Sequence, residues 1–318
     1  MTDCWAFDPQ NRPNISQCHS EVKWMPSIPP LKGKTPHSNA QSAELFYEIG
    51  RIHESQGNFK EAISGFKQAL SAARSAGDQA MSWRALRGLG AASYATANQA
   101  EAQQYLTQAQ DICNQIGDDR GQADVLHMLA KVYRDQSKLT EAEEFYTRAH
   151  HIFSRIGHDQ GRANTLHGLG NVSRERSHYP EAEELYNQAR DIYARIGDHT
   201  GRANTLQRLG SLSYKRSEYI KAEELFNQAL EVYSRIGDNL GRANVNKGLG
   251  HLYRVQGLNT KAAPLFAEAR RLYALIGDSE VEENCSYWLA EVSKEGDSST
   301  TSLSLPRNDD VPSLAQQQ

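Results

Sequence analysis

A glycine recurs every forty residues through most of this 318-residue chain. The recurring residues are Gly77, Gly117, Gly157, Gly197, Gly237 and Gly277. A fixed period of this length over six units is typical of a solenoid, in which each repeat packs mainly on its neighbours. The period therefore favours one repetitive architecture over the two ordinary globular domains that the length alone would allow.

Residues 158–197 and 198–237 show the same order of apolar and breaking residues. Apolar residues recur at helical spacing in two stripes, which are Leu166, Leu169 and Val172, then Ala182, Leu185, Tyr186, Ala189 and Ile192. Pro180 suits the start of the second helix, Gly197 suits its end, and Asp198 can cap the helix that follows. Each repeat is therefore predicted to be a helix–turn–helix with two helices of roughly sixteen residues.

Small residues recur at fixed positions of the repeat. One column in the first helices reads Gly50, Gly90, Ala130, Gly170, Gly210, Gly250 and Ala290. Glycine within a helix costs about 1 kcal/mol relative to alanine, so its recurrence indicates close helix packing. A slot in the second helices holds the large residues Phe66, Leu106, Tyr146, Tyr186, Phe226 and Phe266. Small columns that face large ones predict an interlocked seam between the two helix layers.

This order of residues resembles the tetratricopeptide repeat. The positions that match are Leu206, Leu209, Gly210, Ala222, Phe226 and Ala229. The unit here has forty residues instead of the usual thirty-four, and this longer form is similar to the repeats of kinesin light chains and related fungal proteins. The resemblance covers about residues 38–295. It implies an all-α fold, a right-handed α-solenoid (superhelix) of six helix–turn–helix units with a C-terminal capping helix.

The resemblance and the composition together predict the organisation of the chain. The six units are expected at 38–77, 78–117, 118–157, 158–197, 198–237 and 238–277, followed by a cap helix at 278–296. Residues 23–37 are proline-rich and have the composition of a linker. Residues 297–318 are rich in serine and threonine, which predicts a disordered tail.

Residues 4–22 resemble the last conserved helix region of tyrosine-kinase-like protein kinases. The resemblance rests on Cys4-Trp5, Asp8-Pro9, Arg12-Pro13, Ile15 and Val22. We interpret residues 1–22 as the remnant of a kinase C-terminal region. The phosphate- and metal-holding motifs of a kinase are missing from this sequence, so no kinase activity or ATP binding is expected. An alternative is that the repeats are the regulatory or substrate-docking half of a kinase fusion whose catalytic domain is not in this chain.

Other functional classes find little support in the sequence. A net charge of −4 is too modest for a dedicated nucleic-acid binder, so an RNA-binding repeat protein is a weaker alternative. No apolar run approaches the roughly 18–20 residues that span a bilayer. Four cysteines are too few for a disulfide scaffold, which favours a cytoplasmic setting. The sequence shows no recognisable catalytic constellation or cofactor motif. The adjacent His150 and His151 diverge by about 100° on a helix, so they cannot bind one metal ion together.

The resemblance implies that the first helix of each unit lines a concave groove. By matching position, the predicted groove residues form four columns: Asn164, Asn204 and Asn244; His127, His167 and Lys247; Lys131 and Asn171; Arg134, Arg174 and Arg254. Asparagine can donate to and accept from a peptide backbone, and arginine binds carboxylate or phosphate. The groove is therefore predicted to bind a peptide segment of a partner protein, including an acidic or phosphorylated one. In the alternative interpretation, the asparagines bridge helices and the arginines pair with neighbouring glutamates.

Overall fold

The computed structural model describes residues 36–296, and these residues form thirteen α-helices and no strand. Two compact units divide the chain, one ending at Thr96 and the other beginning at Ala97. The described part of the first unit consists of three helices: α1 (Pro36–Ser55), α2 (Phe59–Ala76) and α3 (Gln79–Ala95). The division falls inside the second predicted repeat, between its two helices, and not between repeats.

The second unit contains ten of these helices. They are α4 (Gln99–Ile116), α5 (Asp119–Asp135), α6 (Leu139–Arg155), α7 (Asp159–Glu175), α8 (Tyr179–Ile196), α9 (His199–Lys215), α10 (Tyr219–Ile236), α11 (Asn239–Val255), α12 (Asn259–Ile276) and α13 (Ser279–Gly296). Consecutive helices pack on each other along this unit. The first helices of successive repeats also contact one another, α5 with α7, α7 with α9, and α9 with α11. The predicted all-α repeat fold is confirmed, and α13 is the predicted cap helix.

The helix boundaries follow from the residues that the sequence places there. The carboxylate of Asp198 accepts a hydrogen bond from the backbone nitrogen of Gly201 at 2.8 Å, which caps α9. Gly197 ends α8 with a φ of 74°, in the left-handed region that favours glycine. Pro180 lies in the first turn of α8, where its missing N–H costs no helical hydrogen bond. These three predictions are confirmed.

The predicted seam of small and large residues is also present. A Cβ atom on Gly170 would lie 2.6 Å from the Tyr186 ring, too close for any side chain. Gly210 has the same relation to the Phe226 ring, at 2.8 Å. Because these aromatic rings are buried against the glycine backbone, close packing explains why helix-weakening glycine recurs.

Some predictions concern residues outside the range 36–296. The kinase-like resemblance of residues 1–22, most of the proline-rich segment 23–37 and the tail 297–318 lie outside the described residues and stay predictions. Helix α1 begins at Pro36, two residues before the expected start of the first repeat. None of the helices within residues 36–296 combines the length and the apolar character needed to cross a bilayer.

Candidate functional site

The predicted groove residues lie on α5, α7, α9 and α11, the first helices of four successive repeats in the second unit. We call the surface that these helices form at the predicted groove positions the first-helix face. Its predicted residues are His127, Lys131 and Arg134 on α5; Asn164, His167, Asn171 and Arg174 on α7; Asn204 on α9; and Asn244, Lys247 and Arg254 on α11. The contacts between these four helices bring residues from neighbouring repeats together.

The asparagine column makes one contact three times. In each repeat a tyrosine hydroxyl of the second helix donates to the Oδ1 atom of the asparagine on the first helix. The pairs are Tyr193 with Asn164 at 2.7 Å, Tyr233 with Asn204 at 2.6 Å, and Tyr273 with Asn244 at 2.7 Å. The tyrosine rings are buried. The asparagines therefore bridge the two helices of their repeat, as the alternative interpretation of this column states.

Asn171 has a different environment from the other asparagines. Only 6% of its surface is exposed, and its Oδ1 accepts from the Tyr186 hydroxyl at 2.8 Å. A side chain that is buried and bonded in this way belongs to the packing between α7 and α8. We therefore remove Asn171 from the candidate partner contacts.

The histidine positions of the face are neutral at pH 7. Burial, followed by the positive charges of Lys131 and Arg134, lowers the pKa of His127 to about 3. Burial and nearby arginines lower the pKa of His167 to about 3 as well. The His127 ring packs edge-on against Tyr146 at 5.3 Å between centroids. Nδ1 of His167 lies 3.1 Å from Oγ1 of Thr205 on α9. These imidazoles therefore belong to the packing of the first helices, and they add no positive charge to the face.

Two of the predicted arginines converge on one carboxylate. Arg134 and Arg174 lie 3.8 and 3.4 Å from the same oxygen, Oε1 of Glu175. Arg134 also donates to Asp135 from Nε and Nη2, at 3.1 and 2.8 Å. The side chains of Arg134 and Arg174 are 20% and 12% exposed. The predicted pairing of arginines with neighbouring carboxylates is therefore present, between residues of two repeats as well as within one.

A third arginine of this cluster, Arg208 on α9, is not among the predicted groove residues. Burial lowers the pKa of Arg208, and the positive charges of Arg174 and Arg134 lower it further. The alignment of the repeats did not indicate Arg208, because the equivalent positions hold unrelated residues: Glu48, Gly88, Met128, Gly168, Gly248 and Trp288.

The remaining predicted residues have partners near the C-terminal end of the array. The Arg254 guanidinium lies 4.4 Å from the centre of the Trp288 ring on α13. The Lys247 ammonium lies 5.5 Å from the centre of the Tyr273 ring, and burial lowers the pKa of Lys247. Arg254 thus packs against the cap helix, whereas Arg134 and Arg174 share a carboxylate.

The sequence profile described as Tetratricopeptide repeat matches residues 41–115, 121–195 and 201–274, which is more than half of the chain. The chain belongs to the tetratricopeptide repeat family. The matched segments lie within the residues where the sequence predicted this repeat. A search of curated proteins finds no match.

Solved tetratricopeptide-like structures share the fold at low sequence identity. A Rap protein complexed with Competence and Sporulation Factor is 16% identical, covers 88% of this chain and 80% of its own, and has a TM-score of 0.63. The Rap conjugation gene regulator of plasmid pLS20, in complex with the Phr* peptide, is 15% identical over 87% of this chain and 82% of its own, with a TM-score of 0.58. A putative kinesin light chain from Podospora anserina with nearly identical TPR-like repeats is 19% identical over 63% of this chain and 97% of its own, with a TM-score of 0.52. At these identities the likeness shows the fold alone.

Metal-binding side chains do not cluster in the tetratricopeptide array. Among residues 36–296, no group of three or more His, Cys, Asp or Glu side chains could hold a metal ion. The expectation that the protein uses no cofactor stays a prediction.

Proposed function

We propose that this tetratricopeptide repeat protein is a non-catalytic scaffold that binds an extended segment of a partner protein on the first-helix face. The observation that carries the proposal is the row of asparagine amides on α7, α9 and α11. On each asparagine, the tyrosine hydroxyl bonds the side-chain oxygen and not the nitrogen. The amide nitrogens of Asn164, Asn204 and Asn244 form no hydrogen bond within residues 36–296. Each nitrogen therefore has two N–H donors for an acceptor from outside the chain.

The bond from tyrosine also makes these amides suitable for binding. A side chain already held in one orientation loses little conformational freedom when a partner arrives, so less of the interaction is spent on ordering it. The backbone of an extended peptide presents carbonyl oxygens at regular intervals, and such acceptors could bond to amide donors that recur once per repeat. The structure of a Rap regulator with the Phr* peptide supports the proposal, because a protein of similar fold holds a peptide.

An aspartate substitution tests this proposal with little change to folding. In the double variant Asn204→Asp/Asn244→Asp, each side chain keeps the oxygen that accepts from tyrosine and loses the N–H donors. Two lost hydrogen bonds of about 0.5–1.5 kcal/mol each should weaken peptide binding roughly ten-fold or more. The measurement is fluorescence polarisation of a peptide selected on the full chain from a random twelve-residue library.

The matched control is Asn187→Asp/Asn227→Asp, which makes the same chemical change on the second helices α8 and α10. This control should bind the selected peptide as the unmodified chain does. Equal weakening in the two double variants, or unchanged binding in the α9–α11 variant with intact circular dichroism, would contradict the proposed surface.

A further inference from the structure

Helix α1 presents three aliphatic side chains that no other part of residues 36–296 covers. Leu45, Ile49 and Ile52 recur at helical spacing, so they share one face of α1. Their exposed fractions are 55%, 36% and 54%. Ala43 and Tyr47, on another side of the same helix, are buried. We call Leu45, Ile49 and Ile52 the α1 stripe.

The positions equivalent to the α1 stripe are buried in the other first helices. Counted in steps of forty residues, the position of Leu45 is 0% exposed in α3, α5, α7, α9, α11 and α13. The position of Ile52 is at most 2% exposed in the same six helices. Exposure at these positions therefore separates α1 from every other first helix of the described residues. The equivalents of Ile52 are Ala92, Val132, Val172, Leu212, Leu252 and Val292.

In the second unit these positions pack with the second helix of the preceding repeat. Leu209 and Leu212 on α9 belong to one hydrophobic cluster with Tyr186 on α8. Val172 on α7 belongs to a cluster with Tyr146 on α6. In both cases the covering helix comes directly before the covered helix in the chain. Chain order therefore points to the residues before α1 as the ones that meet the α1 stripe.

The sequence before α1 contains one stretch with the pattern of a covering helix. Residues 19–36, where a second helix joined directly to α1 would lie, contain four prolines, which exclude a helix of that length. Twelve residues without proline lie between Pro13 and Pro26. We call these residues, 14–25, the N-terminal segment. Its apolar side chains recur at the helical spacing i, i+3, i+7 and i+10, and they are Ile15, Cys18, Val22 and Met25.

From these observations we infer that the N-terminal segment binds to the α1 stripe and covers it as a second helix covers the inner repeats. A helix of twelve residues is about 18 Å long, and the distance from Leu45 to Ile52 along α1 is about 10 Å. Residues 26–35 can span about 31 Å in the extended conformation of a proline-rich linker. Ile52 lies about 24 Å along α1 from Pro36, so the linker is long enough.

The small size of the α1 stripe favours a segment of the same chain over a second copy of the protein. Stable interfaces between separate chains bury roughly 600–1,000 Å² on each partner, far more than three partly exposed side chains provide. A linked segment needs less area, because a short linker gives it an effective concentration in the millimolar range. The terminal repeat of a solenoid also needs a cap that hides its apolar end. The N-terminal segment would supply that cap for α1.

Alkylation of Cys18 measures whether the N-terminal segment is bound, because Cys18 belongs to its apolar stripe. The full chain is treated with iodoacetamide, and mass spectrometry follows Cys18 and Cys4 separately. Cys4 lies outside the segment and serves as the reference. The ratio of the Cys18 rate to the Cys4 rate should rise at least ten-fold in Leu45→Asp/Ile52→Asp, because carboxylates oppose burial of this face. Val22→Asp, which changes the segment instead of α1, should give the same rise.

The matched control is Ile220→Asp, which makes the same change at an isoleucine of α10 that is 79% exposed. This control should leave the rate ratio within two-fold of the unmodified chain. Cys113 and Cys285 are buried in the array, so they should stay unreactive in each folded variant. The separate Val22→Asp variant keeps the test decisive where the double change in α1 prevents folding.

Three results would overturn the inference. The first is an unchanged rate ratio in a folded Leu45→Asp/Ile52→Asp variant, and the second is an equal rise in Ile220→Asp. The third is a dimer, measured by light scattering, that becomes a monomer in the α1 variant while the Cys18 rate stays the same, because it would assign the α1 stripe to a second copy. The inference is independent of peptide binding, since none of these changes touches the first-helix face.

Discussion

Replacing Asn244 with alanine should destabilise the protein more than the same replacement at Asn204. The Tyr273 hydroxyl donates to Asn244 at 2.7 Å and has no second acceptor within the described residues. The Tyr233 hydroxyl lies 2.6 Å from Oδ1 of Asn204 and 3.0 Å from Oε1 of Gln207, so either oxygen can accept its one proton. Both tyrosines are at most 1% exposed, so water has little access to a hydroxyl left without a partner.

The expected loss of stability depends on whether the tyrosine hydroxyl keeps an acceptor after the asparagine is replaced. A buried donor left unsatisfied costs about 1–3 kcal/mol, and alanine returns roughly half a kcal/mol of helix propensity. We therefore expect Asn244→Ala to lower the free energy of unfolding by about 1–2 kcal/mol. Asn204→Ala should lower it by less than about 0.5 kcal/mol, because Tyr233 keeps Gln207 as an acceptor.

A double-mutant cycle tests the mechanism of this loss. If the unsatisfied hydroxyl is the cause, removing it in Asn244→Ala/Tyr273→Phe should recover most of the stability, because deleting both partners is nearly neutral. Urea unfolding of the full chain, followed by circular dichroism at 222 nm, gives the four free energies. Losses at positions 244 and 204 that agree within about 0.3 kcal/mol, or no recovery in the double variant, would refute the reasoning.

Three further changes test the packing, the turns and the ion pairs. Ala182→Leu should destabilise by about 1–3 kcal/mol through overpacking, whereas exposed Gln188→Leu should be nearly neutral in urea unfolding, and equal effects would contradict the seam. Ser177→Gly should raise the melting temperature, because Ser177 has a φ of 63° and glycine relieves about 1 kcal/mol of strain. The hydrogen bond from Lys221 lowers the pKa of Glu183, so this contact stabilises the fold above pH 4.3 or so, the ordinary glutamate value. Glu183→Gln should therefore destabilise by less than about 1 kcal/mol at pH 7, and the difference between the two proteins in thermal melts should disappear as the pH falls below that value.

The repeat fold could be predicted because each repeated residue has one local task. Gly197 ends a helix, Asp198 caps the next one, and Gly170 makes room for the Tyr186 ring. These tasks depend on backbone geometry and side-chain size, which a forty-residue alignment of the chain with itself displays directly. The sequence did not indicate the conformation of the turn between α7 and α8, because Ser177 adopts a left-handed φ that serine seldom favours.

The candidate site was harder to predict because a column fixes a position and not the direction of a side chain. Asn171 follows Asn164 by seven residues on α7, close to two turns, yet Asn171 is buried on Tyr186. That contact is made with a residue of another helix, so it depends on packing that the sequence pattern of a single helix does not contain.

Under the proposed function, positions that repeat and positions that do not repeat would contribute differently to recognition on the first-helix face. The asparagine oxygens of α7, α9 and α11 each bond a tyrosine of their own repeat, so under the proposed function their amide donors would offer the same contact to any backbone. A ladder of identical donors cannot by itself distinguish one register of a peptide from another. Discrimination between registers would therefore have to come from residues that differ between repeats, such as Arg208, whose equivalents in the two adjacent repeats are Gly168 and Gly248. Under the proposed function, a partner segment that contacts Arg208 would lose that contact on a shift by one repeat, because the equivalent position of the next repeat is Gly248.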